Sequence, residues 1–229
     1  MNHSLNYILF GLYPYIAIAV CVVACWIRFD REQYTWKAGS SQLMRTKGMV
    51  LASNAFHIGI IFVLSGHIIG LLTPEAVYHY VISTENKQLL AMVSGGFFGL
   101  ICLLGLVMLL HRRITDPRVR ATGSTGDLMV LILLFIQLCL GLATIVVSAE
   151  HMDGSVMLLL ANWAQSIVVF NPEMAATSIA GVHILYKLHV FFGISIVLVF
   201  PFTRLVHIIS APVWYLGRRY QIVREKRAW

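Results

Sequence analysis

Five stretches of this chain are each long and apolar enough to cross about 30 Å of hydrocarbon as a helix rising 1.5 Å per residue. They run from Tyr7 to Ile27, Met49 to Leu72, Leu89 to Leu110, Leu128 to Ser148 and Val182 to Ile209. Hydrocarbon offers the backbone no hydrogen-bond partner, and a helix satisfies its own N–H and C=O groups, so the fold class follows from these stretches. It is all-α, an integral membrane bundle of five transmembrane helices. A hydrophobic share of 59%, a charged share of 12% and a mean hydropathy of +0.79 suit a lipid bilayer and not a water-soluble domain. With no internal repeat and no linker, residues 1–229 are expected to form one domain, with a tail from about Ala211. The first stretch has neither a basic start nor a small-residue cleavage site, and reads as a retained helix with no cleaved leader.

Lys and Arg are retained on the cytoplasmic side of short loops, so their placement predicts orientation. Of 17 such residues, Arg28, Arg31, Lys37, Arg45 and Lys47 fall between the first and second spans, and Arg112, Arg113, Arg118 and Arg120 between the third and fourth. Five more lie in the tail, and Arg204 near the end of the last span. Lys87 and Lys187 fall towards the opposite side, with Glu75, Glu85, Glu150, Asp153 and Glu173. The N-terminus is expected outside and the C-terminus in the cytoplasm. The net charge of +7 then reports topology; no aromatic-interleaved basic patch points to nucleic acid.

Cys21, Cys25, Cys102 and Cys139 all fall inside predicted helices, form no CxxC or CxxCH run, and read as small packing residues. The longest segment between spans runs from Ala149 to about Ala180. In it, Val156 to Phe170 has the pattern of an amphipathic helix at the outer interface, positioned to cap the bundle. The tail from Ala211 to Trp229 fits either an interfacial lipid anchor or a docking surface for a soluble partner.

Nine histidines are present, and those at membrane depth need explaining because polar groups there are costly. His57 and His67 lie on the second span, about 15 Å apart along a helix; His189 and His207 lie on the fifth, about 27 Å apart and on one face if that helix is continuous. The two spans are antiparallel, so His57 shares a depth with His207, and His67 with His189. Two stacked bis-histidine pairs suit two metal cofactors passing electrons across a bilayer. A kink at Pro201 is one way to absorb the unequal spacings. Each histidine alone fits a hydrogen-bonded core residue or a proton-relay member equally well. His183, six residues before His189, is a rival ligand without a depth-matched partner; His3, His79, His111 and His151 read as solvated. Ser53 and Thr203, four residues before proposed ligands, either orient the rings or bond their own helix. Arg204 fits a partner for a cofactor carboxylate, or a cation snorkelling to headgroups.

The stretches YPYIA (Tyr13 to Ala17), QYTWKAGSSQ (Gln33 to Gln42), KGMVLASNAFHIGI (Lys47 to Ile60), GHIIGLLTP (Gly66 to Pro74) and DPRVRATG (Asp116 to Gly123) carry a resemblance that covers essentially the whole chain in order. HMDGS (His151 to Ser155), WAQS (Trp163 to Ser166), KLH (Lys187 to His189) and PFTRLVHI (Pro201 to Ile208) extend it. The chain resembles the gamma subunit of respiratory nitrate reductase, the membrane cytochrome b of a quinol:nitrate oxidoreductase in the bacterial cytoplasmic (inner) membrane. The resemblance implies two b haems, the proximal on His57 and His207, the distal on His67 and His189. It places a quinol site at Gly66, His67 and Lys87, although on the residues alone Lys87 reads as a snorkelling interface cation. It also implies an iron-sulfur beta subunit and a molybdenum-containing alpha subunit, where nitrate would be reduced. His183 departs from the pattern. Three other readings remain on the residues alone: a cytochrome b serving a hydrogenase, formate dehydrogenase or sulfur-cycle enzyme, a proton or metal transporter using buried histidines, and a structural anchor for a peripheral enzyme.

Overall fold

The computed structural model describes residues 3–36, 47–210 and 217. The described residues are helical without strands, and five helices are long and apolar enough to cross a membrane. Lys37, Arg45 and the tail apart from Gly217 lie outside the described residues.

The first helix, α1, runs His3–Arg31, with a π-helical stretch at Tyr7–Leu12 near its start. α2 spans Met49–Leu72, α3 Thr84–Thr115 and α4 Thr125–Ala149. Two shorter helices follow, α5 at Ser155–Val168 and α6 at Pro172–Ala180, before α7 at Ile184–Val199. Single turns at Glu75–Tyr78 and Pro117–Ala121 sit in the connections.

Several of these helices begin on side-chain caps. The Ser83 hydroxyl accepts the Asn86 amide at the start of α3, and Ser124 and Asp127 form a reciprocal capping box at the start of α4. Asp127 also takes a 2.5 Å ion pair from Arg113, with both side chains largely buried, which ties the end of α3 to the start of α4.

α3 packs between α2 and α4, α4 against α7, and α7 against α1. α6 packs on the π-helical start of α1, and α5 on both α6 and α2, so this pair joins the two ends of the row. The Trp163 indole N–H donates to the Phe10 carbonyl at 3.0 Å, and the Gln165 amide to the Leu71 carbonyl at 3.0 Å. Val156 to Phe170 thus forms the expected helix over Ser155–Val168, stitched to α1 and α2 by these two bonds. The four cysteines are free thiols within helices, and Cys102 is wholly buried.

α2 and α3 approach most closely at glycines. A Cβ built on Gly59 would stand 2.6 Å from Cys102, and one on Gly105 would meet the Phe56 amide nitrogen and the Ala52 carbonyl. Without water expulsion between helices in lipid, such contact is what holds them together. Gly105→Val is therefore expected to destabilise the bundle by about 1–3 kcal/mol. A lower thermal unfolding midpoint in detergent would register it; an unchanged midpoint would show that the helices do not rely on this approach.

The last span differs from the continuous helix expected over Val182 to Ile209. α7 ends at Val199, a 3₁₀ turn covers Phe200–Phe202, Thr203 is extended, and a second 3₁₀ turn covers Arg204–Ile208. Pro201 lacks an amide hydrogen and cannot continue the helix. The freed carbonyls are taken by Arg28, whose guanidinium donates to Pro201 at 2.5 Å and to Thr203 at 3.2 Å. His189 and His207 consequently do not lie on one face of one helix, and the 27 Å spacing of a straight helix does not apply.

Candidate functional site

α2 makes its close packing with α3 and α5, and α7 with α4 and α1, yet histidines from the α2 and α7 spans meet in pairs across the space between. The His57 and His207 ring centroids lie 6.4 Å apart with planes at 71°, and those of His67 and His189 lie 6.0 Å apart at 45°. An atom bound at about 2 Å from two imidazole nitrogens, each about 1.1 Å from its ring centre, calls for centroids about 6.2 Å apart. Both separations match that distance, which also falls within the range of edge-on ring contact.

All four rings present the same nitrogen to a main-chain carbonyl. His57 Nδ1 lies 2.7 Å from the Ser53 carbonyl, His67 Nδ1 2.8 Å from Val63, His189 Nδ1 3.1 Å from Gln137 and His207 Nδ1 2.6 Å from Arg204. A carbonyl only accepts, so each Nδ1 is the donor, and in the neutral ring Nε2 keeps its lone pair for a metal. Orientation by an acceptor on the other ring nitrogen is usual for metal-binding histidine.

Open space lies beside several glycines. A Cβ on Gly66 or Gly70 of α2, or on Gly95 of α3, would meet nothing within 4 Å. Gly141 of α4 does the opposite, since its Cβ would stand 2.9 Å from His189 Cε1. Among the described residues no group of three or more His, Cys, Asp or Glu converges to hold a metal ion. Two imidazoles with no third protein donor fit an iron whose other positions are filled by a porphyrin.

Two expected orienting hydroxyls fare differently. Ser53 Oγ lies 3.3 Å from His57 Nδ1, beside the shorter bond to its own carbonyl. Thr203 Oγ1 bonds the Phe200 carbonyl and caps Leu205, so it serves the backbone break and not His207. Arg204 contributes its carbonyl to His207, and its side chain is half-buried. The rival His183 is spent as the N-cap of α7, its Nδ1 accepting the Leu185 amide at 3.3 Å. His3 and His79 are exposed and face Glu173 and Glu75.

Lys87, on the first turn of α3, is only 9% exposed, and its ammonium lies 3.5 Å from the centroid of the Tyr78 ring. It makes no hydrogen bond to Gly66 or His67. The adjacent Gln88 donates to the Ser148 and His151 carbonyls at 3.1 and 2.8 Å and accepts the Gly154 amide at 2.8 Å, pinning the loop between α4 and α5. In that loop, the hydroxyl and amide of Ser155 bond Asp153 and hold its carboxyl below the ordinary carboxylate range. Lys187 is buried, and its ammonium takes the Ala180 carbonyl at the end of α6, 2.7 Å away. Sequence reasoning missed Gly141, Gln137 and Tyr78; nothing in linear spacing marks residues that act by touching a ligand from another helix.

This arrangement can be set beside known proteins. Residues 6–226 match the family model described as nitrate reductase gamma subunit. The chain is 50% identical over 222 residues to respiratory nitrate reductase 1 gamma chain of Escherichia coli (strain K12), covering 97% of this chain and 98% of that one. It is 48% identical over 227 residues to the respiratory nitrate reductase 2 gamma chain of the same organism, covering 99% and 100%. Similarity extends to the nitrate reductase gamma chain of Bacillus subtilis (strain 168), 33% identical over 220 residues, covering 96% and 98%. With five membrane-length helices and a match along nearly its whole length, the chain belongs to the nitrate reductase gamma subunit family and is a membrane subunit of an oxidoreductase complex.

Proposed function

We propose that this chain is the dihaem cytochrome b subunit that oxidises quinol near the outer face of the bacterial cytoplasmic (inner) membrane. It delivers the electrons to a cytoplasm-facing nitrate reductase. The observation that carries this reading is the pair of imidazole couples, at 6.4 and 6.0 Å, with all four Nε2 lone pairs left free. When bound, two b haems supply one-electron carriers at two depths of the bilayer. His57 and His207 would hold the proximal one and His67 and His189 the distal one, with Arg204 as a cation for a propionate. Gly66, His67 and Lys87 form the quinol site: the glycine leaves room for the ring, and the ammonium binds a quinol oxygen and steadies the charge that develops there.

The cation-rich loops support an N-terminus outside and a C-terminus in the cytoplasm, with the chain read as one domain. The partners are an iron-sulfur beta subunit, which takes the electrons, and a molybdenum-containing alpha subunit, which reduces nitrate. Electrons moving inward while quinol protons leave outward would charge the membrane. The test is a pyridine haemochrome count on the purified, folded protein, with a reduced-minus-oxidised spectrum. Two b haems per chain are expected; none would overturn the reading.

A further inference from the structure

We propose that Tyr78 is a positioning residue of the quinol site: its ring stores the Lys87 ammonium in a form that can be handed to a quinol oxygen. The inference rests on the reading of Lys87 as a quinol ligand. The ammonium sits over the Tyr78 face at 3.5 Å, and both residues are less than a tenth exposed. The ring is itself fixed, since the Tyr78 hydroxyl bonds Thr84 Oγ1 at 3.1 Å in the buried first turn of α3, three residues before Lys87. The carboxylate on the Tyr78 turn, Glu75, lies 3.6 Å from His79 Nδ1 and acts on Lys87 through space, outside ion-pair distance.

This storage has a chemical consequence. A buried lysine paired with a carboxylate would be neutralised, its donors spent, and moving it would strand an anion. A ring attracts the cation through its quadrupole, takes no N–H donor in a conventional hydrogen bond and carries no net charge to leave behind. The ammonium keeps its three donors and its charge for an incoming oxygen, and the flexible four-carbon stem lets it swing. Tyr78 thus pre-pays the desolvation of Lys87 without competing with the substrate.

The experiment measures KM and kcat for a short-chain quinol, with nitrate as acceptor, in membranes holding the assembled complex, alongside haem content. Lys87→Ala is expected to raise KM. Tyr78→Leu should raise KM by about three- to tenfold, with a smaller change in kcat and the same haem content. Tyr78→Phe, which keeps the ring, should recover most of the affinity. If Lys87→Ala raises KM and Tyr78→Leu does not, Tyr78 has no positioning role. An equal loss in the Phe and Leu variants assigns the effect to the hydroxyl and overturns the ring's part in it. An unchanged KM in Lys87→Ala would instead sink the quinol-site reading, and this inference with it. Should Tyr78→Leu lose its haem, a fluorinated phenylalanine at position 78 keeps the shape and removes the negative ring face. A raised KM there supports the proposal, and a wild-type KM overturns it.

Discussion

His189→Ala is expected to leave one b haem per chain in place of the two proposed, and to stop electron delivery from quinol. In the proposed reading His189 supplies the second nitrogen of the His67 centre, its ring lying 6.0 Å from that of His67. Loss of one imidazole from a two-imidazole set would leave a haem iron weakly held. The His57 and His207 centre lies on other turns of both spans and should survive. His57→Ala makes the reciprocal cut: the outer centre remains reducible by quinol, but electrons no longer leave it. Pyridine haemochrome counts and quinol-reduced spectra of the two variants separate these outcomes. Two retained haems in His189→Ala would contradict the ligand assignment. A takeover by His183 would show itself if the double variant then lost one, an outcome the N-capping role of His183 argues against.

Gly141→Val is the second change expected to act strongly, and it alters no ligand. Even the first carbon of a side chain would stand 2.9 Å from His189 Cε1, well inside van der Waals contact. The imidazole would have to rotate or α4 and α7 separate, and overpacking of this kind costs about 1–3 kcal/mol, equivalent to roughly five- to 150-fold in affinity. The haem on His67 and His189 should be under-occupied or shifted in its spectrum, while that on His57 and His207 is spared. Gly96→Ala provides the comparison, since its added Cβ would lie at an ordinary 3.6 Å from Ile145. Equal haem content and identical spectra in the Gly141 and Gly96 variants would mean that the His189 ring is not confined from the α4 side.

Much of this was legible in the sequence because membrane insertion leaves a coarse and unambiguous record. The Met49 to Leu72 span is the helix α2 to the residue. The third span, marked by hydropathy at Leu89 to Leu110, extends to Thr84–Thr115 because caps such as Ser83 sustain the helix beyond the hydrocarbon-length core. Antiparallel spans also sufficed to pair His57 with His207 and His67 with His189. The route to that pairing was less legible. A proline signals a possible kink, but whether the chain bends or breaks depends on who takes the freed carbonyls, and Arg28 does so from 173 residues away. The hydroxyls of Ser53 and Thr203 look equivalent in sequence; one reaches its ring because the helix is intact there, the other caps a turn because it is not. Gly141 and Tyr78 left no trace, because their effect lies wholly in what their shape or surface presents to a residue on another element.

The four main-chain acceptors of the histidines are not mechanically alike. His57, His67 and His207 bond carbonyls three or four residues back in their own segments, so any motion of the segment carries ring and acceptor together. His189 bonds the carbonyl of Gln137 on α4, a neighbouring helix. Sliding of α4 along α7 would lengthen that one bond and weaken the basicity of one ligand while leaving the other three untouched. In the proposed reading, the electronic character of a cofactor on His67 and His189 would thereby be geared to the register of two helices, whereas one on His57 and His207 would be insulated from such slip.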